Sequence, residues 1–134
     1  MSIPSNLLQV ETVEQLAGLM EMDHRSVHWL AYSLSDRQRY FEYRIPKKSG
    51  DYRTIHAPNT RLKEAQRALL PLLEDVYKPA ESVHGFVRSR SIKTNVSDHV
   101  GKRYVLNVDL HDFFPSITSP RIQGLLTGKP YELT

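Results

Sequence analysis

Two carboxylates and two phenyl rings lie close together near the C-terminal end of the chain, at Asp109, Asp112, Phe113 and Phe114. Read at a period of two, the residues before them predict a strand over 104–110. The two faces of that strand carry Tyr104, Leu106, Val108 and Leu110 on one side and Val105, Asn107 and Asp109 on the other. The Asp109 carboxylate is therefore expected off the core face, where a lone Asp at a strand end is usually a turn former or a helix cap.

The composition is that of one globular domain. The 134 residues suffice for a modest core, and 40% hydrophobic with 25% charged residues argues against disorder. The absence of cysteine excludes disulfides and thiolate metal sites. No apolar run approaches the roughly 20 residues of a membrane span, and the N-terminus lacks a basic-then-apolar signal pattern. The sequence thus predicts a soluble cytoplasmic protein without a membrane partner.

Charge is distributed unevenly along the chain. The net charge of +3 is weak support for a polyanionic partner, but residues 1–23 are acidic and residues 37–103 are strongly basic. Aromatic residues interleave with the basic ones at Tyr40, Phe41, Tyr43, Tyr52 and Phe86. This combination is typical of a nucleic-acid groove, and a solvated basic face is the alternative.

Two short helices are predicted near the N-terminus, after a loose lead-in over residues 1–10. Thr12 and Gln15 form a capping-box pattern that opens the first helix, and the second runs from Asp23 or Ser26 to Leu34. The expected buried positions are Val13, Leu16, Ala17 and Met20 in the first helix and Val27, Leu30, Ala31 and Leu34 in the second.

A β-hairpin is predicted next, with strands over 41–47 and 52–56 around a turn at 48–51. Gly50 supplies the positive φ of the turn, and Pro46 confines its strand to an edge or a strand end. Lys47, Lys48 and Arg53 lie near the tip, where long cationic side chains can reach a triphosphate or a template phosphate. The alternative is that edge-strand lysines only prevent aggregation.

Three further helices follow. The first, over about 61–77, is capped by Asn59 or Thr60 and kinked at Pro71. Its expected buried stripe is Leu62, Ala65, Leu69, Leu72, Leu73 and Val76. The last is a Ser119-capped helix over 119–126 with proline in its first turn.

The helix between these two starts at Ser89 or Ser91 and stops at Gly101, with Ile92, Val96 and His99 directed inward. Arg88, Arg90 and Lys93 cluster around its N-terminus, whose free amides also favour anions. That cluster suits a phosphodiester backbone.

Three segments, in this order, resemble motifs of reverse transcriptases, and specifically of the retron and group II intron branch, with retrons closest. They are Ile45-Pro-Lys-Lys-Ser-Gly-Asp-Tyr-Arg-Thr-Ile-His56, then His84-Gly-Phe with Arg90-Ser-Ile, Asn95 and His99, and finally Asp109 with Asp112-Phe-Phe-Pro115. The resemblance implies an α+β fold with N-terminal helices, a fingers hairpin with packing helices, and the first palm strand of a right-hand polymerase. The implied segments are 1–40 (helical), 41–103 (fingers) and 104–134 (start of the palm with motif A).

The resemblance also implies site residues. Asp109 is the catalytic carboxylate that ligates both of two Mg²⁺ ions, and the backbone carbonyl of Leu110 touches one of them. The backbone amides of Asp112 and Phe113 face the triphosphate, and Phe114 is the steric gate that selects deoxynucleotides. Plain core packing is the alternative for Phe113.

In that family, Lys47 and Arg53 occupy the positions that engage the incoming nucleotide. From their position at the hairpin tip and at the helix N-terminus, Lys48, Arg88, Arg90 and Lys93 are the candidate contacts to nucleic acid. The implied partners are an RNA template, a DNA product and dNTP, with a structured non-coding RNA and a role in antiphage defence in the retron branch.

The family's other two acids belong to a Tyr-x-Asp-Asp motif, and this sequence has no such string. One catalytic carboxylate cannot hold two metal ions, so the chain is predicted to be the N-terminal part of an RNA-directed DNA polymerase and inactive by itself. Two alternatives stay open: a non-catalytic nucleic-acid-binding module, or a split-protein half that binds a complementary palm fragment or self-associates.

Overall fold

The computed structural model describes residues 6–133, so the first half of the predicted lead-in lies outside the described residues. Two compact units are present. Within the described range, the first runs to Val76 and includes Glu132, and the second is Tyr77–Tyr131.

The first unit begins with helical turns. The predicted lead-in over residues 1–10 is therefore not loose throughout, because it contains a 3-10 turn. A 3-10 turn, Leu7–Gln9, precedes α1 (Val13–Leu19), α2 (His24–His28), a π-helix (Trp29–Ser33) and α3 (Asp36–Arg39). The predicted caps are confirmed: Thr12 and Gln15 exchange side-chain-to-backbone hydrogen bonds, and the Asp23 carboxylate accepts from the Ser26 amide at 2.9 Å. The core of this unit consists of the buried residues Leu7, Ala17, Met20, Val27, Leu30 and Leu34.

The prediction that Ala31 is buried is wrong. An uninterrupted α-helix would place Ala31 one turn after Val27 on the same face. The chain instead widens into the π-helix Trp29–Ser33, and Ala31 is exposed while Leu30 and Leu34 stay in the core. The wider turn changes which residues share a face, and periodicity alone does not indicate it.

The β-hairpin is confirmed. Strands β1 (Tyr40–Pro46) and β2 (Tyr52–Pro58) pair antiparallel, from Tyr40 opposite Pro58 to Pro46 opposite Tyr52. Gly50 adopts a φ of +87° in the turn, a conformation that glycine reaches without steric cost. β1 ends at its proline, as predicted from the missing backbone donor.

Helix α4 (Thr60–Val76) follows the hairpin and contains Pro71. Its predicted cap is Asn59, whose Oδ1 accepts from the Leu62 amide at 2.8 Å. The predicted apolar stripe is half-buried along its whole length, and none of α4 is fully buried. Pro71 lies inside the helix, and the kink stays a prediction.

The second unit contains two helices, α5 (Ile92–Ser97) and α6 (Ser119–Thr127). Ser91 caps α5 as predicted, through a hydrogen bond from the Thr94 amide to its hydroxyl. The predicted inward direction of Ile92 and Val96 is wrong, because both are exposed. The N-cap position of α6 is Thr118 and not Ser119, with proline in the first turn as expected.

The predicted strand over 104–110 is also wrong for the chain described. This segment has no regular secondary structure, no described residue pairs with it, and the only sheet in the described part of the chain is the hairpin. Residues of both predicted faces are exposed, among them Leu106, Val108 and Val105. A strand requires a neighbour for its backbone hydrogen bonds, and alternation of side chains does not supply one.

Substitution of Asn59 by Ala should lower the free energy of unfolding by about 1–2 kcal/mol. The substitution removes the α4 cap and a second hydrogen bond, from Nδ2 to the Gln38 carbonyl at 2.7 Å. Urea unfolding followed by circular dichroism measures the loss. Asn95→Ala is the matched control, because Asn95 lies on the exposed surface of α5 and caps no helix; equal losses in both variants would contradict the capping role.

Candidate functional site

The tip of the hairpin is concave and cationic. In the register of the sheet, Arg53 lies opposite Ile45, so the two share a face, and Arg44 lies on the opposite face. The concavity is lined by Ile45, Pro46, Lys47, Lys48, Ser49, Arg53 and Ile55. The structure thus brings together the three cations that the sequence placed at the tip.

Lys47 is engaged within the turn. Its Nζ lies 3.4 Å from Oδ2 of Asp51, and its backbone amide donates to the Asp51 carbonyl at 2.6 Å. The Tyr52 amide donates to the other carboxylate oxygen of Asp51 at 2.7 Å. This backbone hydrogen bond, followed by the hydrogen bond and charge of Lys47, holds the pKa of the Asp51 carboxyl below its usual value.

The acidic segment forms a tight turn over residues 111–116, after a stretch without regular secondary structure. Asp109 is exposed, and Asp112 adopts a left-handed φ of +50°. The Ser116 amide donates to the Asp112 carbonyl at 3.0 Å, and the Ser116 hydroxyl donates to the Phe113 carbonyl at 2.6 Å. The left-handed residue and these two bonds fix where the chain reverses. Nδ1 of His111 also lies 3.1 Å from Oδ2 of Asp112.

The two phenylalanines of this turn contact each other. Their ring centroids are 5.3 Å apart and the planes cross at 71°, an edge-to-face arrangement. Phe114 is the more exposed ring, at 70% against 47% for Phe113. The backbone amides of Asp112 and Phe113 donate no hydrogen bond to the described part of the chain. Core packing does not account for either ring within the described residues.

The carboxylates do not by themselves fit a two-metal site. Within residues 6–133, no three His, Cys, Asp or Glu side chains come together in a group that could hold a metal ion. Asp109 offers one carboxylate and Leu110 one backbone carbonyl, and both residues are exposed, whereas Mg²⁺ requires near-octahedral oxygen coordination. The described residues thus provide part of a ligand set.

The cations around α5 have different surroundings. One terminal nitrogen of Arg90 donates to the backbone carbonyls of Ala80, Glu81 and Val83. Arg90 therefore fixes the loop before α5, whereas Lys93 is exposed on that helix. No sequence pattern indicates this role, because the carbonyls precede Arg90 by several residues and belong to irregular structure.

His84 lies in the same loop and attaches it to α5. Its Nδ1 lies 3.0 Å from the Thr94 hydroxyl and its Nε2 lies 3.2 Å from the Asp98 carboxylate. These contacts fasten the His84-Gly-Phe segment to α5. Phe86, the last residue of that segment, is 98% exposed with a φ of +58°.

Comparison with known proteins identifies the class of protein. The family model for reverse transcriptase (RNA-dependent DNA polymerase) matches residues 45–126, more than half of the chain. The match includes the hairpin tip, the loop held by His84 and Arg90, and Asp109. The chain therefore belongs to the reverse transcriptase family.

Its curated relatives place it beside one branch of that family. Retron Mx65 reverse transcriptase of Myxococcus xanthus is 46% identical over 105 residues, 78% of this chain and 25% of that relative. Retron Mx162 reverse transcriptase of the same organism is 37% identical over 91% of this chain and 26% of its own length. Retron Ec86 reverse transcriptase of Escherichia coli is 35% identical over 69% of this chain and 30% of its own length. The retron-type resemblance is confirmed.

The chain spans about a quarter of the length of the Mx65 and Mx162 relatives. No solved structure gives a significant match. Among the described residues, no helix is both long enough and apolar enough to cross a membrane.

Asp51 should make the hairpin turn sensitive to acid. Because its pKa in the folded chain lies below the usual 3.8, the added stability is complete above that pH and is lost as the pH falls through the lowered pKa. Two-dimensional NMR of the Gly50 and Tyr52 amides between about pH 2 and 6 would detect the loss. Asp51→Asn should show no such transition, and an identical transition in this variant would assign it to another group.

Proposed function

We propose that this chain is the N-terminal part of a retron-type RNA-directed DNA polymerase, comprising its fingers and the beginning of its palm. The observation that carries the proposal is the family match over residues 45–126, which spans all three sequence signatures in their expected order. The retron relatives support the same assignment. On this proposal, the partners of the whole protein are an RNA template, a DNA product and dNTP. Cytoplasmic location, the structured non-coding RNA and the antiphage role remain predictions.

The hairpin tip is the proposed contact to the incoming nucleotide. Lys47, Lys48 and Arg53 line one concavity, and no carboxylate lines it with them. When a triphosphate binds in this concavity, Lys47 exchanges its exposed ion pair with Asp51 for contacts to phosphate oxygens, which carry more negative charge. Because the existing pair is exposed and contributes little, the exchange favours the ligand.

The acidic segment, from Asp109 to Phe114, is proposed to act where the incoming nucleotide reacts. Asp109 contributes one carboxylate, and Leu110 its backbone carbonyl, toward the two Mg²⁺ ions of the complete enzyme. The backbone amides of Asp112 and Phe113 are donors for phosphate oxygens, and the exposed ring of Phe114 is the steric gate against a 2′-hydroxyl. The partial ligand set of the described residues supports inactivity of the chain alone.

Three exposed cations, Lys48, Arg88 and Lys93, are proposed to contact nucleic-acid phosphates directly. Arg90, with one nitrogen on three carbonyls, is proposed to support them by fixing the loop in addition to any phosphate contact.

A second candidate function rests on the unpaired segment before Asp109. Leu106, Val108 and Leu110 are exposed there, and their backbone groups pair with no described residue. Such a segment favours pairing with another polypeptide, either a complementary palm fragment or a second copy of this chain. Sedimentation at high concentration tests the pairing with a second copy, because a monodisperse monomer contradicts self-association.

Loss of the tip cations should weaken nucleotide binding. We expect Lys47→Ala with Arg53→Ala to raise the Kd for a deoxynucleoside triphosphate at least about tenfold, since each removes charge-assisted hydrogen bonds worth about 1.5–3 kcal/mol. Isothermal titration calorimetry measures the change. Arg44→Ala is the matched control on the opposite face of the same hairpin, and an equal effect there would indicate non-specific attraction.

The isolated chain should incorporate no deoxynucleotides on a primed RNA template. A longer protein from the same gene that carries further acidic ligands should be active, and Asp109→Ala should reduce its rate by several orders of magnitude. Primer extension measures both. Templated synthesis by the isolated chain that disappears in Asp109→Ala would overturn the proposed incompleteness.

A further inference from the structure

The outward face of α2 and the π-helix carries rings and cations. Val27 and Leu30 turn into the core, whereas Arg25, His28 and Tyr32 are exposed. Tyr32 is 68% exposed and Trp29 is 39% exposed. With Arg61 of α4, which contacts Trp29, these side chains form the ring–cation patch: Arg25, His28, Trp29, Tyr32 and Arg61.

Contacts within the ring–cation patch orient its members before any ligand arrives. The His28 and Tyr32 ring centroids are 4.8 Å apart, with planes tilted by 45°. The Arg61 guanidinium carbon lies 5.4 Å from the Trp29 ring centroid, within the range of a cation–π interaction. Rings held in this way lose less conformational entropy when a planar ligand stacks on them.

The π-helix produces this arrangement. Its wider turn departs from α-helical spacing, and the Arg39 guanidinium donates to the Ala31 carbonyl at 2.9 Å. π-Turns are rare, and they occur frequently at functional sites. Here the π-helix contains both Trp29 and Tyr32.

The charges favour an anionic ligand. The patch contains two permanent cations and no carboxylate. Asp23, at the start of α2, accepts hydrogen bonds from the amide and hydroxyl of Ser26, at 2.9 and 3.2 Å. A backbone hydrogen bond and then the Thr12 hydroxyl lower the pKa of Glu14, with smaller contributions from His24 and His28.

We infer that the ring–cation patch binds single-stranded nucleic acid, with bases stacked on Tyr32 and its neighbouring rings and with phosphates at Arg25 and Arg61. Aromatic faces interleaved with guanidinium groups are the chemistry by which proteins hold unpaired bases without reading their sequence. None of the five patch residues lines the hairpin-tip concavity, so this surface is distinct from the proposed triphosphate contact there. The inference does not depend on catalysis.

Trp29 is the only tryptophan in the sequence, so its fluorescence reports directly on the patch. The full chain is titrated with an unstructured oligouridylate of about twelve nucleotides, within the usual site size for single strands. An abasic strand of the same length is the parallel probe. We expect saturable quenching by the oligouridylate and at least about fivefold weaker binding of the abasic strand.

Tyr32→Leu and Arg61→Gln should each raise the Kd about tenfold. The matched control is Tyr104→Leu, because Tyr104 is also exposed and also lies beside an arginine, 5.3 Å from Arg103. Circular dichroism checks that each variant retains its helices. If one of the two patch variants misfolds, the other still tests the inference.

Lys47→Ala with Arg53→Ala should leave the quenching in place, which separates this inference from the proposed hairpin function. Absence of quenching, equal affinity for the abasic strand, or unchanged affinity in both patch variants would overturn the inference. If quenching is absent, the ring–cation patch is instead a surface for a partner of another class, such as a protein.

Discussion

The hydrogen bonds of Asn59 join the principal elements of the first unit. Its backbone amide donates to the Arg39 carbonyl at 2.7 Å, and its side chain bonds both the Gln38 carbonyl and the Leu62 amide. One residue therefore ties the end of α3 to the start of α4 and fixes the base of the hairpin between them. Because the first unit has few buried side chains, its stability depends on such hydrogen bonds more than the stability of a domain with a larger core does.

The parts of the fold that the sequence predicted well are those decided by neighbours along the chain. The capping box at Thr12, the caps at Asp23, Asn59 and Ser91, and the glycine turn of the hairpin all involve residues within four positions of one another. The three cations at the hairpin tip were predicted together for the same reason, since a two-stranded hairpin fixes their proximity locally.

The failures are those where a distant partner decides the outcome. Alternation at 104–110 predicts which way side chains point once a strand exists, but it does not provide the neighbouring strand, and none is present among the described residues. Exposure of Ile92 and Val96 has the same cause, because an inward face requires an element to pack against. The contacts that hold the loop before α5, from Arg90 to its carbonyls and from His84 to Thr94 and Asp98, could not be predicted for a related reason: irregular backbone has no periodic signature.

The left-handed backbone of Asp112 has a consequence for how this position can vary. Among residues other than glycine, asparagine and aspartate are favoured in that conformation, because a short polar side chain can compensate the steric cost by local hydrogen bonds. The carboxylate at 112 can thus be retained for the shape of the turn and not for its charge. Homologous chains with the same turn are expected to tolerate asparagine or glycine here and to exclude valine, isoleucine and threonine, whatever chemistry they perform.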